Sequence, residues 1–327
     1  MARKPLVSII ISNYRDVENL KRCLESIKEN VSIEDVEVIV VDYGTPNLKG
    51  FIRKYFPFVK LIQLRRDVGV PAQRNIGALI SKGVYLFFLD NDTYVCKDCV
   101  KNLIRLLRTD QTIAVIQPKT LVLSNPSYIN TTGGFMNVIG EPSLRGYLKR
   151  DVGQYDHVDE VFYAQNSGFI IRRDIFMKIG MYDSSYYFYF DETDLCFRLW
   201  LNGYRVIYVP YAIILHKVSS IRKVNPAKVF YYERNKIMTL IKNLEIAHVL
   251  VYVPTAIIYS LMIRVLSVVK RRDPRIVIAT IKSYLWMLIN LRSIVRKRYF
   301  VQSKIRRVSD KYLLRKGLLK SLFELKS

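Results

Sequence analysis

Apolar runs and helical periodicities take turns along the first 120 residues. Leu6–Ser12, Val36–Val41, Val59–Leu64, Val84–Leu89 and Thr112–Gln117 are short, rich in Val and Ile, and carry at most one charge each. They predict buried strands of a largely parallel sheet. Between them, 16–29, 70–81 and 98–108 repeat apolar residues at helical spacing. This succession predicts a doubly wound α/β sheet, whose ligands lie beyond the carboxyl ends of the strands. Asn13, Asp42, Asp67 and the Asp90–Asp92 segment stand just past successive strands, so a carboxylate or amide is expected from each at one edge.

Residues 121–160 hold Gly, Pro, Asn, Ser and several aromatics with weak periodicity, and predict loops and short strands. Order returns with a strand at Phe169–Arg172, a short helix after Asp174, a helix from about Asp191 to Asn202, and a strand Arg205–Val209 ending at Pro210. After residue 225 the pattern changes. Ile246–Ile263 is 18 residues without a formal charge, and Ile276–Leu291 is 16 with only Lys282. Pro254 interrupts the first stretch, and Thr255, Ser260, Arg264, Ser267 and Arg271 form a narrow polar stripe on it. Both stretches are short for a span, and both are flanked by Lys and Arg, which conflicts with a hairpin through a bilayer. They read as helices lying in a membrane interface, basic residues among anionic headgroups. True spans and a soluble dimerisation or core element are the alternatives.

Charge sharpens this division. The 327-residue chain carries a formal net charge of +24, and 22 of its 52 Lys+Arg but only 5 of its 28 Asp+Glu follow residue 225. The expected domains are therefore 1–225, the α/β unit whose strand ends carry the candidate site, and 226–327, a basic, apolar, helical membrane-associating extension facing an anionic partner. A non-enzymatic nucleic-acid-binding protein competes on charge and on the 23 tyrosines, but the basic excess accompanies long apolar stretches instead of a soluble basic patch. Four scattered cysteines make no disulfide framework, and Cys96-x-x-Cys99 lacks a second pair or a nearby His. The N-terminus leads into a strand-length apolar run too short for a signal-peptide core, so cytosolic exposure, peripheral to the membrane, is the expectation.

Asp90 and Asp92 bracket one residue at a strand end, and residues two apart in an extended segment face the same way. Both carboxylates can approach one Mg²⁺ or Mn²⁺, which prefers oxygen ligands and bridges phosphate oxygens. A simple Asx turn is the plainer reading of the same residues.

These motifs, in this order, resemble the family 2 glycosyltransferases, in particular a rhamnosyltransferase-like subgroup, over about residues 5–220. VSIIISNYRD (7–16), VIVVDYGTPN (38–47), DVGVPAQRNIG (67–77), FLDNDTYV (88–95), NSGFIIRRDIFMKIGMYD (166–183) and YFDETDLCFRLWLNGYRVIYVPYAIILH (189–216) carry the likeness. The resemblance implies the nucleotide-sugar-binding GT-A fold, a UDP-, GDP- or dTDP-sugar donor, and inverting transfer to a hydroxyl of a glycan or lipid-linked acceptor at the membrane face. It assigns Asn13 and Asp42 to the donor base, Asp67, Arg74 and Asn75 to ribose and diphosphate, Asp90 to ribose and metal, and Asp92 and His216 to the metal. Gly69 and Gly77 read as backbone shape and packing.

Inversion needs a carboxylate to take the acceptor proton. The family's Glu-Asp order is swapped here, in Asp191-Glu192-Thr193-Asp194. Glu192 is the expected base and Asp191 the second choice. Asp191 also reads as a helix N-cap, and Asp194 as the i,i+4 partner of Arg198. A polyprenyl-phosphate sugar synthase, whose phosphate acceptor needs no strong base, is the alternative enzyme.

Overall fold

A computed structural model describes residues 4–218, 225–271, 273–322 and 324. The first half folds as β1 (Val7–Tyr14), α1 (Val17–Asn30), β2 (Val36–Tyr43), α2 (Leu48–Tyr55), β3 (Val59–Leu64), α3 (Val70–Ile80), β4 (Tyr85–Asp90), β5 (Thr93–Val95), α4 (Cys99–Thr109) and β6 (Ile113–Val122). Then come β7 (Asn125–Thr131), β8 (Gly134–Asn137), β9 (Pro142–Leu144), β10 (Asp159–Glu160), β11 (Gly168–Arg172), α5 (Arg173–Lys178), α6 (Asp191–Leu201) and β12 (Arg205–His216). The last part is helical: α7 (Pro226–Asn243), α8 (Ile246–Arg271), α9 (Arg275–Ile289), α10 (Leu291–Phe300) and α11 (Asp310–Arg315), closed by the short β13 (Leu319–Lys320).

The main sheet runs β10-β12-β6-β11-β4-β1-β2-β3, with β5 on β12 and β7 on β6. β1 pairs in parallel with β2 and β4, and β6 with β12, while β11 runs antiparallel between β4 and β6. Register does the positioning. Asn13 lies opposite Asp42, Ser12 opposite Asp90, and His216 opposite Thr93. Reversed β11 starts at the edge where β4 ends, with Gly168 opposite Leu89, which brings the loop before it to Asp90. A Cβ on Gly168 would come within 2.9 Å of the Leu89 side chain and 2.6 Å of the Ile214 side chain, so a larger residue here would have to displace both.

Apolar side chains fill both faces. One layer lies under α1, α2 and α4; the other joins the sheet to α6, α7 and residues as late as Leu319. One core therefore includes residues on both sides of position 225. Asp16 caps α1 by accepting the Asn19 N–H at 3.0 Å. The expected strands and helices of the first 120 residues are present, and α2, too short for a clear period, is an addition. β12 runs past Pro210 to His216, because a register shift between Val209 and Ile213 absorbs the proline. Pro254 does not end its stretch either: α8 continues through it. Part of the basic cluster at 270–272 is not described, Arg272 lying outside the described residues.

Candidate functional site

Two clefts open at the carboxyl edge of the sheet and meet over Asp90 and Asp92. The first, of about 370 Å³, is bounded by Asn13, Tyr14, Asp67, Gln73 and Tyr187; the second, of about 520 Å³, by Arg74, Asn166, Tyr189, Glu192, His216 and Tyr232. Val70 and Phe188 line both, with the two aspartates. Asp90, Asp92 and His216 bring ligand atoms within 4.8 Å of one another, and His216 Nε2 is 3.1 Å from Asp92 Oδ1. Asn130 Oδ1 lies 3.1 Å from His216 Nδ1. An amide oxygen can only accept, so this bond places the proton on Nδ1 and leaves Nε2 as the ligand nitrogen. Burial pushes the Asp90 pKa up; Arg74 pulls it down, Asp92 adds to the rise, and the net direction is upward. Two carboxylates and an imidazole nitrogen form an oxygen and nitrogen donor set that fits Mn²⁺ or Mg²⁺.

Arg74 is fully buried and donates from Nη2 to Asp90 Oδ1 (2.6 Å) and to the Asn166 carbonyl (3.0 Å), while Nη1 is 3.8 Å from Asp191 Oδ2. Burial opposes its charge, but the surrounding Tyr182, Asp90, Asp191 and Glu192 outweigh that and raise its pKa. Its Nε and Nη1 have no hydrogen-bond acceptor among the described residues. Asp42 is sealed beneath Asn13, accepting from Asn13 Nδ2 (2.7 Å) and Thr45 Oγ1 (2.6 Å), so Asn13 forms the cleft wall in front of it. Asp67 and Asn75 turn to the opposing loop. Asp67 accepts from the Tyr187 hydroxyl at 2.8 Å and from the Gly69 N–H at 2.9 Å. Asn75 donates to the Tyr182 carbonyl and accepts from its N–H, at 2.8 and 3.1 Å. Gly69 has φ +79°, and a Cβ there would sit 2.6 Å from the Tyr187 carbonyl. At Gly77 a Cβ would meet Ile10 at 2.5 Å.

α6 begins at Asp191, with Phe190 in the left-handed region at the N-cap position, so Asp191 is the first helical residue and not the cap. Asp191, Glu192 and Asp194 all occupy the first turn, where the helix dipole favours carboxylates. Asn166 Nδ2 donates to Asp191 Oδ2 at 2.9 Å and Glu192 Oε2 at 3.1 Å, and its Oδ1 accepts from the Tyr182 hydroxyl at 3.2 Å. Asp191 is 3% exposed and faces Arg74; Glu192 is the more open of the two. Burial first, then the Asp191 charge, raise the Glu192 pKa well above the carboxylate range. Asp194 is fully buried and binds Arg198 at 3.0 Å and Lys242 at 3.0 Å. Asn130 and Asn166 were not singled out from the sequence. Asn166 opens the 166–183 motif, whereas Asn130 lies in the stretch of weak periodicity and carries no signal.

A largely parallel mixed sheet whose carboxyl edge carries such a cleft pair and carboxylate–imidazole cluster is the GT-A fold. The family model "Glycosyl transferase family 2" matches residues 8–180, and the chain belongs to that family. It is 32% identical over 95 residues to the uncharacterized glycosyltransferase EpsJ of Bacillus subtilis, and 27% identical over 229 residues to polypeptide N-acetylgalactosaminyltransferase 8 of Drosophila melanogaster. Those matches cover 28% and 66% of this chain but only 27% and 38% of the relatives' own length. Among solved structures, GalNAc-T7 with UDP, GalNAc and Mn²⁺ superposes with a TM-score of 0.64 at 16% identity, over 91% of this chain and 57% of that one.

Proposed function

We propose that the chain is a metal-dependent inverting glycosyltransferase that moves a sugar from a nucleoside-diphosphate sugar to a hydroxyl of a glycan or lipid-linked acceptor at the cytosolic membrane face. The observation that carries this reading is the meeting of two clefts over Asp90, Asp92 and His216. A donor in the first cleft would present its anomeric carbon to an acceptor in the second. Tyr14 and Tyr43, stacked at 5.8 Å, suit a nucleobase at the outer end, next to Asn13 and its partner Asp42. Arg74, buried behind Asp90, would add positive charge beside the diphosphate, and Asp67 and Asn75 would act by holding the wall over the ribose. Mn²⁺ or Mg²⁺ on Asp90, Asp92 and His216 would stabilise charge on the departing diphosphate; the UDP and Mn²⁺ bound to GalNAc-T7 support that pairing. Glu192, with its raised pKa and its place in the second cleft, is the base, and Asp191 keeps Arg74 and Asn166 in place. The proposed base and metal ligands all lie in 1–225, α7 adds Tyr232 to the second cleft, and membrane association falls to the rest of 226–327.

Thermal shift with UDP-, GDP- and dTDP-sugars, with and without Mn²⁺, tests the donor and metal together, because a ligand that binds only the native state stabilises it. One donor should raise the melting temperature only with Mn²⁺, and Asp92→Asn should remove that rise. Metal-independent stabilisation that persists in Asp92→Asn would sink the metal assignment. A polyprenyl-phosphate acceptor would use the same donor cleft without a base, so transfer to dolichyl phosphate that survives Glu192→Gln would favour the synthase reading.

A further inference from the structure

The amphipathicity of α8 is inverted. Two of its polar residues face inward: Ser260, 2% exposed, accepts from Lys236 Nζ at 2.6 Å, and Arg264 donates from Nε and Nη2 to Glu233 Oε1 at 3.0 and 2.7 Å, while Thr255 stays exposed. The stripe expected to reach headgroups therefore points in part at α7. Outward stand Leu250, Val251, Ile258, Met262, Val265 and Leu266, each 50–70% exposed, and beside them Leu285, Leu288 and Ile289 of α9, 52–83% exposed. A water-facing helix carries the opposite arrangement, and an apolar patch of this extent marks an interaction surface. α8 and α9 touch each other, and both pack on α7, so their free faces look away from the catalytic body.

We infer that this face is a monotopic anchor, lying flat in the headgroup–acyl boundary of an anionic bilayer. Charge selects the occupant. Lys282, Arg292 and Arg296 are exposed, and the one acid between residues 246 and 300, Asp273, is paired with Arg275. A second copy would set like charges against one another; anionic lipid complements them. Packing selects the orientation. α8 has 22 residues, Ile246–Ser267, apolar enough to span a membrane, yet its inward contacts run from Val249 to Arg264, about 22 Å at 1.5 Å per residue. Crossing the bilayer in this packing would drag the buried Glu233 and Lys236 of α7 into hydrocarbon. Lying flat leaves them in the protein. The Arg264 guanidinium is 5.9 Å from the Tyr232 ring, which lines the second cleft, so a single helix layer separates that cleft from the membrane face. Resting on the transferase reading, that spacing fits an acceptor tethered to lipid.

Flotation of the full chain with phosphatidylcholine vesicles, and with vesicles containing phosphatidylglycerol, tests the anchor without donor or acceptor. Binding should require the anionic lipid and fall about tenfold or more in an Ile258→Asp, Leu266→Asp, Leu285→Asp variant. Arg292→Glu with Arg296→Glu should remove the preference for anionic vesicles. Far-ultraviolet circular dichroism and Mn²⁺-dependent donor binding, unchanged in both variants, show that the fold persists, and transferase activity can fail without touching this result. Unchanged flotation of the triple variant overturns the proposal. So does a vesicle-independent dimer that the triple variant dissociates. Fluorophores at Leu250→Cys, Ile258→Cys and Leu266→Cys should report one shallow depth by lipid-borne quenchers; a maximum at 258 with both ends shallow overturns the flat orientation.

Discussion

Replacing Glu192 by Gln removes the proposed base with almost no change of shape. A positioned general base contributes about 10²–10⁴ in rate, or roughly 2.7–5.4 kcal/mol of barrier. Turnover should fall by that factor with donor affinity little changed, since Glu192 lies in the second cleft and not the first. Stability should move the other way. Burial and the Asp191 charge raise the Glu192 pKa in the folded state, so the native protein binds this proton more tightly than the unfolded chain. Native stability then falls as pH rises from the ordinary carboxylate range to the raised pKa, and levels off above it. Gln cannot ionise. The melting temperature of Glu192→Gln minus that of the wild type should be near zero at pH 4, grow positive with pH, and plateau, at about 1.4 kcal/mol for each unit of the upward shift. The wild-type rate should lose activity on the acid side at a pH above the usual carboxylate range. Steady-state kinetics and scanning calorimetry between pH 4 and 8 read both limbs. A pH-independent stability difference would refute the burial argument, and full activity in Glu192→Gln beside an inactive Asp191→Asn would transfer the role to Asp191.

Asn130→Ala removes the acceptor that holds His216 Nδ1, and metal affinity should drop 10–100-fold, read as the Mn²⁺ concentration needed for donor-induced stabilisation; an unchanged titration would separate His216 from the metal. Asp194→Ala leaves Arg198 and Lys242 without their shared buried carboxylate. That should cost about 3–5 kcal/mol, a fall of roughly 4–7 °C in melting temperature for a chain of this size, and a change below 2 °C would show the pair to be dispensable. Gly69→Ala forces a Cβ into the Tyr187 carbonyl at φ +79°. A loss of about 1–3 kcal/mol and a raised donor KM should appear together, and wild-type behaviour would mean that the 187–188 loop does not shape the donor cleft.

What could be read from the sequence was whatever depends on local period and on the sheet rule. Strand ends could be located from apolar runs, and Asn13, Asp42 and Asp90–Asp92 do converge at one edge. Side-chain direction could not. Asn75 bonds to Tyr182, 107 positions later, and nothing in the spacing of the 67–77 segment distinguishes that target from a ribose. Asn130 and Asn166 act through amides fixed by long-range pairing, β7 on β6 and β11 on β4, and an isolated Asn carries no chemical signature of its own. On α8 the helical period correctly grouped Ser260 with Arg264 on one face, but which face turns inward was decided by Glu233 and Lys236 on α7. A polar stripe can be buried where each group finds a partner, as Ser260 and Arg264 do on Lys236 and Glu233, and the apolar side is then left outside.

α7 ties these observations together, since it packs against α8 and α9 and also reaches the second cleft through Tyr232. Asn235 donates to the carbonyls of Tyr186, Phe188 and Tyr189 at 2.7–3.0 Å, and Arg234 Nη2 donates to those of Ser185 and Tyr186. Tyr231 stacks on Tyr187 at 5.0 Å. The loop held this way has Tyr187, Tyr189 and Phe190 at φ of +62° to +67°, each strained by about 1–3 kcal/mol, and would relax without such anchors. Phe188, at its centre, lines both clefts. The far side of the same helix presents Glu233 and Lys236 to α8. The apolar tail and the acids of the site are thus joined by eighteen residues of helix, and a substitution on the inner face of α7 acts on both at once. Residues 226–243 belong structurally to the site, although their composition places them with the tail.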